Sequence, residues 1–148
     1  PVRLITNGSM LHRPGVQEGI RALGELGGEV WFKIDRATAD EVVAINGVLL
    51  DVEKVRHNLA RCAALAPTWV QTCWFALDGQ APDAAARAAY CALLAPLAAS
   101  LAGIHLYGLA RPSRQPAAPR LSRLAPEVLE AFAADIEKET GIQVVVSL

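Results

Sequence analysis

Cysteine is scarce in this chain of 148 residues, and its spacing excludes the common cysteine-based sites. The three cysteines are Cys62, Cys73 and Cys91, and they form no CxxC or CxxxCxxC arrangement. An odd number of widely spaced cysteines provides neither a disulfide framework nor a recognisable metal-binding motif. Each falls within an apolar helix or strand pattern, so we predict buried, unreactive thiols.

Long apolar runs and a strong charge imbalance are also absent. No run approaches the roughly 18 residues of a membrane span, and residues 1–20 lack the apolar core of a signal peptide. The net charge of −1 gives no overall case for nucleic-acid binding. A hydrophobic content of 53% over 148 residues predicts one packed domain, residues 1–148. Because the chain begins at Pro1 rather than methionine, we expect an excised or truncated piece, or a processed start.

Strand-like and helix-like segments alternate along the chain. Four short segments have the β-branched and aromatic composition of strands, and each is followed by a turn and a helical pattern. Helices between strands require crossover connections, so we predict a mainly parallel sheet. The predicted strands are residues 2–6, 30–34, 69–75, 104–107 and 144–146; the predicted helices are 17–26, 38–45, 51–65, 82–101 with a kink at Pro96, and 126–140.

Each predicted strand has one mostly apolar face and one face with polar side chains. In the second strand, for example, Trp31, Lys33 and Asp35 share a face because side chains alternate along a strand. A parallel strand covered by helices on both faces would be an almost continuous hydrophobic run. We therefore predict an α/β fold of the partial parallel β/α-barrel type, with helices outside and a polar interior.

Polar residues also stand at the ends of four predicted strands, where ligands bind in folds of this class. Lys33 and Asp35 could instead form a structural ion pair. A histidine such as His105 is, taken alone, more often a satisfied core residue than a metal ligand. The candidate site residues at these ends are Asn7, Lys33, Asp35, Gln71, His105 and Tyr107.

The loop at 111–123 contains four arginines, which have two interpretations. Guanidinium groups recognise phosphate and carboxylate groups, so the loop could bind an anionic ligand. The arginines could instead pair with acidic residues of the following helix. We favour pairing for Arg114, Arg120 and Arg123, and we retain Arg111, which is closest to the strand end, as a candidate site residue.

Four segments, taken in order, carry a family resemblance. They are residues 4–8 (LITNG), 31–35 (WFKID), 70–72 (VQT) and 106–111 (LYGLAR). Their order and spacing resemble the later strands of radical S-adenosylmethionine (radical SAM) enzymes, over nearly the whole chain. The stretch from Asp35 to Asn46 is also similar to the branch of that superfamily close to wyosine-type tRNA-modifying enzymes.

The resemblance implies a partial six-stranded β/α barrel. The four main strands would be the third to sixth strands of that barrel, and the strand at 144–146 would be an additional, closing one. Members of the family hold a 4Fe-4S cluster in a CxxxCxxC loop after their first strand, and a glycine-rich segment follows their second strand. Neither motif is present here, so the cluster ligands are absent from this chain and no metal-binding residue is assigned.

The resemblance also implies a function for the complete protein. That protein would cleave S-adenosylmethionine reductively and abstract hydrogen from a substrate, with electrons from a reductant such as flavodoxin or ferredoxin, in the cytoplasm. This chain alone would be an inactive C-terminal fragment without the cluster-binding N-terminal part. The implied cofactor-binding residues are Asn7, Lys33, Asp35, Gln71 and Tyr107, the implied substrate-binding residues are His105 and Arg111, and catalytic residues stay unassigned.

Two alternatives remain open from the sequence. An incomplete barrel leaves unpaired strand edges, so the chain could be a non-catalytic binding or assembly half-barrel that associates with itself. A different barrel enzyme could use Lys33 as a Schiff-base nucleophile near Asp35.

Overall fold

Five parallel strands form the main sheet of the computed structural model, which describes residues 1–36, 51–112, 114 and 116–148. The sheet order is β1-β2-β3-β5-β7, and a separate two-stranded antiparallel ribbon pairs β4 with β6. The strands are β1 (Arg3–Thr6), β2 (Glu29–Lys33), β3 (Thr68–Cys73), β4 (Ala76–Leu77), β5 (Gly103–Tyr107), β6 (Leu121–Ser122) and β7 (Val144–Ser147).

Helices connect the parallel strands, as the sequence predicts. They are α1 (Pro14–Glu25), α2 (Val52–Leu65), α3 (Ala84–Leu94) and α4 (Pro126–Thr140). The Asp51 carboxylate accepts a hydrogen bond from the Lys54 amide at 3.1 Å and caps α2. The predicted helix at 38–45 lies outside the described residues.

The prediction of one kinked helix over residues 82–101 is wrong after Leu94. Helix α3 ends at Leu94, and Ala95–Ser100 forms a 3₁₀ segment. Pro96 has no amide proton to donate to the preceding turn, so the α-helical hydrogen-bond ladder cannot continue through it.

One face of the sheet packs against the helices. Val30, Phe32, Val70, Ile104 and Leu106 on this face are fully buried. They join buried residues of all four helices in one hydrophobic core, among them Ile20, Leu59, Leu94 and Phe132. The predicted α/β class is confirmed, with a parallel sheet that alternates with helices.

The opposite face of the sheet carries the polar residues and is more exposed. Lys33 is the register neighbour of Gln71, Gln71 of His105, and His105 of Val145, so these residues form one row across four strands. All of them are exposed or half-buried, in contrast to the core face. The predicted separation of an apolar face from a polar face is therefore confirmed.

A buried hydrogen-bond chain fixes the strand ends to α3. The Thr72 hydroxyl donates to the Ile34 carbonyl at 2.7 Å, which leaves its oxygen to accept from the Tyr90 hydroxyl at 2.6 Å. Thr72 and Tyr90 are completely buried. These hydrogen bonds tie the carboxyl ends of β2 and β3 to one helix.

Among the described residues, no helix is long and apolar enough to cross a membrane.

Candidate functional site

A cavity of about 500 Å³ lies at the carboxyl ends of β3, β5 and β7. This volume is within the range of small-molecule sites. Strand residues form one wall, and the segment leading into α4 forms the other. Among the lining residues are Trp31, Gln71, His105, Tyr107, Arg123 and Leu129.

Three of the predicted site residues meet in this cavity. The side chains of Gln71, His105 and Tyr107 all line it, and none of them makes a hydrogen bond to any described residue. Half-buried polar groups without protein partners gain most from a ligand or ordered water that satisfies them. The cavity therefore offers an amide, an imidazole and a phenol to an incoming molecule.

Lys33 and Asp35 form the predicted ion pair beside this row. Their Nζ and Oδ2 atoms are 3.5 Å apart, and Asp35 Oδ1 also accepts a hydrogen bond from the Cys73 amide at 2.9 Å. Burial raises the pKa of the Asp35 carboxyl, although Lys33 and the Cys73 amide act in the opposite direction. The pair is consistent with a structural role and leaves a carboxylate near the row of strand-end side chains.

Two indole rings hold His105 in place. Its ring centroid lies 4.4 Å from those of both Trp31 and Trp69. The Trp31 indole donates to Glu29 at 3.0 Å, and Glu29 in turn accepts from Arg3 at 2.7 Å. Burial lowers the pKa of His105, so folding favours the neutral ring.

We expect a pH dependence of stability that His105 causes. Because folding lowers the pKa of His105 from its ordinary value of 6.5, the unfolded chain takes up the proton first and stability falls as the pH drops below 6.5. The contribution of His105 to the slope of unfolding free energy against pH cannot exceed about 1.4 kcal/mol per pH unit, the limit for one proton. Urea unfolding at several pH values should show this loss in the wild type.

The variant His105→Phe keeps an aromatic ring but cannot titrate, so its unfolding free energy should lack this component. His57→Gln, at an exposed position of α2, is the matched control and should behave as the wild type. Equal pH profiles for the wild type and His105→Phe would contradict the assignment to His105.

The three cysteines are buried, as predicted. Burial raises the pKa of the Cys73 and Cys91 thiols to about 11 and raises that of Cys62 as well. A thiol with a raised pKa is a poor nucleophile at neutral pH. Within the described residues, no group of three or more His, Cys, Asp or Glu side chains could hold a metal ion.

Four of the predicted site residues do not line the cavity: Lys33 and Asp35, which form the ion pair described above, and Asn7 and Arg111. The Asn7 side chain accepts a hydrogen bond from the Ser9 amide at 3.0 Å, in the turn that follows β1. Arg111 is exposed and is not part of the cavity wall. Their assignment as ligand-binding residues stays a prediction.

The predicted pairing of loop arginines with α4 is wrong for Arg120 and Arg123. The Arg120 guanidinium donates hydrogen bonds to both carboxylate oxygens of Asp78, at 2.6 to 3.2 Å. This ion pair lies beside the β4–β6 ribbon. Arg123 Nη2 donates to the Ala110 carbonyl at 3.0 Å. Both of these arginines therefore have partners in segments that fold beside them, and not in the next helix along the chain.

Sequence reasoning missed the wall opposite the strands. Arg123, Leu124 and Leu129 line the cavity although they follow the last cavity-lining residue of the β5 end by 13 residues or more. The apolar and basic character of this segment is visible in the sequence. Its return to the strand ends is a tertiary contact that no local pattern encodes.

Comparisons with known proteins identify similar folds. No family model and no curated protein matches the chain. A crystal structure of a radical SAM methyltransferase from Sphaerobacter thermophilus matches with a TM-score of 0.67 and 15% identity, over 98% of this chain and 39% of the other. The chain therefore spans well under half the length of that enzyme.

Two further structures share the fold. A domain of pyruvate-formate lyase-activating enzyme from Bacteroides vulgatus matches with a TM-score of 0.65 and 15% identity, over 99% of this chain and 98% of the other. A GH5_18 protein from Bifidobacterium longum, solved with Manb1-4GlcNAc, gives a TM-score of 0.50, 13% identity and 97% coverage of this chain. At these identities the likeness shows the fold: an α/β arrangement that resembles the radical SAM partial barrel.

Proposed function

We propose that this chain is the C-terminal part of a radical SAM enzyme and that its strand ends bind the nucleoside portion of S-adenosylmethionine. The observation that supports the proposal most is the convergence of three unpaired polar side chains, Gln71, His105 and Tyr107, in one cavity at the carboxyl ends of parallel strands. Ligands of open α/β sheets bind at this edge.

The residues present fit an adenosyl group. The cavity provides aromatic surface from Trp31 and Tyr107, the Gln71 amide, and the backbone at 108–110 for the edge of a base. Beside the cavity, the Asp35 carboxylate can accept hydrogen bonds from ribose hydroxyls, and Lys33 can meet a carboxylate. The cofactor, bound together with a cluster, would supply the radical chemistry of the complete protein.

The residues present do not fit a 4Fe-4S cluster. Clusters of this type are held by cysteine thiolates, and the three cysteines here are buried, with raised pKa values. In the proposal, the cluster and its reductant, flavodoxin or ferredoxin, belong to a preceding part of the enzyme. This chain's own contribution is to bind and orient the nucleoside.

The proposal predicts binding of S-adenosylhomocysteine, which has the same nucleoside and can be titrated calorimetrically without a cluster. Gln71→Leu removes an amide from the cavity, so we expect its affinity to fall about tenfold, the loss of one well-placed hydrogen bond. Gln143→Leu is the matched control, because Gln143 is exposed and outside the cavity. No binding to the wild type, or equal losses in both variants, would contradict the proposal.

A non-catalytic assembly half-barrel is the second candidate, and the edge strand β1 favours it. Ile5 in this strand and Val2 just before it are 58% and 69% exposed, and no described strand covers the outer edge. Exposed apolar strand edges recruit partners. A dimer in sedimentation experiments that binds no S-adenosylhomocysteine would favour this candidate over the first.

The geometry gives less support to a Schiff-base enzyme. Nucleophilic lysines of that kind are desolvated or lie next to another cation. Lys33 is instead nearly half exposed and paired with Asp35.

A further inference from the structure

We infer that the part of the cavity between β5 and the start of α4 binds a planar ring that carries a carboxylate or phosphate group, with Arg123 as the contact to the anion. The inference rests on the proposed function in that this ring compound would be the substrate of the enzyme. The sequence favours Arg111 as the contact to an anion, but Arg123 is the arginine that lines the cavity.

Arg123 is held in position but not neutralised. Its Nη2 group donates to the Ala110 carbonyl at 3.0 Å, and it forms no ion pair with a described carboxylate. A guanidinium group has five N–H donors, so the bond to Ala110 leaves most of them available. Four other arginines of the described residues are in contrast paired with acids: Arg3 with Glu29, Arg56 with Glu53, Arg87 with Asp135 and Arg120 with Asp78.

The cavity wall around Arg123 contains no acidic side chain. The lining includes one guanidinium group, one imidazole, one amide and two hydroxyl groups, but neither aspartate nor glutamate. The charged side chain of this lining, Arg123, is a cation and attracts ligands of negative charge. Guanidinium groups match the planar geometry of carboxylate and phosphate oxygens. The wall thus favours an anionic ligand over a cationic one.

The shape of the same region favours a planar group. His105 presents its ring from the strand side, and Leu124 and Leu129 present aliphatic surface from the opposite side. Aromatic rings stack with planar ligands at a distance of a few ångströms. The indole rings that pack on His105 hold its imidazole in place for such contact.

Calorimetric titration with three small probes tests the inference. Indole-3-acetate and tryptamine share a ring but carry opposite charges, and 3-indolyl phosphate carries a phosphate group on the same ring. We expect at least one of the two anions to bind about tenfold more tightly than tryptamine, and we expect Arg123→Gln to remove that preference. Whether indole-3-acetate or 3-indolyl phosphate binds more tightly identifies the anionic group.

Arg61→Gln, at an exposed position of α2, is the matched control and should keep the preference. The inference would be overturned if neither anion bound more tightly than tryptamine, if Arg123→Gln kept the preference, or if no probe bound. The S-adenosylhomocysteine titration with Gln71→Leu is a separate readout, so either proposal can fail while the other stands.

Discussion

Replacement of Gly8 by alanine is expected to lower the free energy of unfolding by about 2–4 kcal/mol, from backbone strain and overpacking together. Gly8 has a φ of +75°, and a Cβ atom there would lie 2.4 Å from Cζ of Phe32. Phe32 is fully buried in the core beneath the sheet, so its ring cannot move without disturbing its neighbours. Urea unfolding should show a lower midpoint with an unchanged slope.

Gly27→Ala separates these two causes. Gly27 has a φ of +76°, but a Cβ atom there would meet nothing within 4 Å. We expect only the strain cost, about 1–2 kcal/mol. Equal losses in the two variants would contradict the close packing of the turn after β1 against β2. That turn is also fixed from α2, because the Asn58 side chain donates to the Gly8 carbonyl at 3.1 Å.

Thr72→Val is expected to lower the free energy of unfolding by about 1–3 kcal/mol, the cost of buried polar groups without partners. Valine has nearly the shape of threonine, but it leaves the Tyr90 hydroxyl with no acceptor at 2.6 Å and removes the bond to the Ile34 carbonyl. Because Thr72 precedes the end of β3, we also expect weaker S-adenosylhomocysteine binding at the adjacent Gln71. Chemical denaturation and calorimetry measure the two effects.

The matched controls are Thr72→Ser and the double variant with Tyr90→Phe. Serine keeps the hydroxyl and loses one methyl group, so it should cost no more than about 1 kcal/mol. In the Tyr90→Phe background, Thr72→Val should cost less than in the wild type, since no phenol is then left without a partner. A Thr72→Val variant as stable as the wild type would rule out this hydrogen-bond chain as a stabilising element.

The order of elements and the two faces of the sheet could be predicted from the sequence. Alternation of side chains placed Trp31 and Lys33 on one face of β2 and Phe32 on the other, and the structure has Phe32 fully buried and Lys33 exposed. The predicted helices at 51–65 and 126–140 also agree closely with α2 (Val52–Leu65) and α4 (Pro126–Thr140). These features depend on neighbours in sequence, which is why a single chain reveals them.

The composition of the cavity could not be predicted in full, because its far wall is a long-range contact. Arg123 and Leu129 reach the strand ends only after the loop folds back, and the partner of Arg120 is Asp78, 42 residues away. The spacing of charges along the chain favoured the acids of α4 instead. Gln71, His105 and Tyr107 were predicted correctly as neighbours, since parallel strands bring their carboxyl ends to one edge.

A map of backbone amide chemical shifts, recorded by NMR during titration with S-adenosylhomocysteine, tests the central claim most directly. The account predicts saturable shifts concentrated at the ends of β3 and β5, at Gln71, Tyr107 and Gly108, with smaller changes at Asp35. Absence of saturable shifts, or shifts confined to the edge strand β1, would contradict a nucleoside site in this cavity.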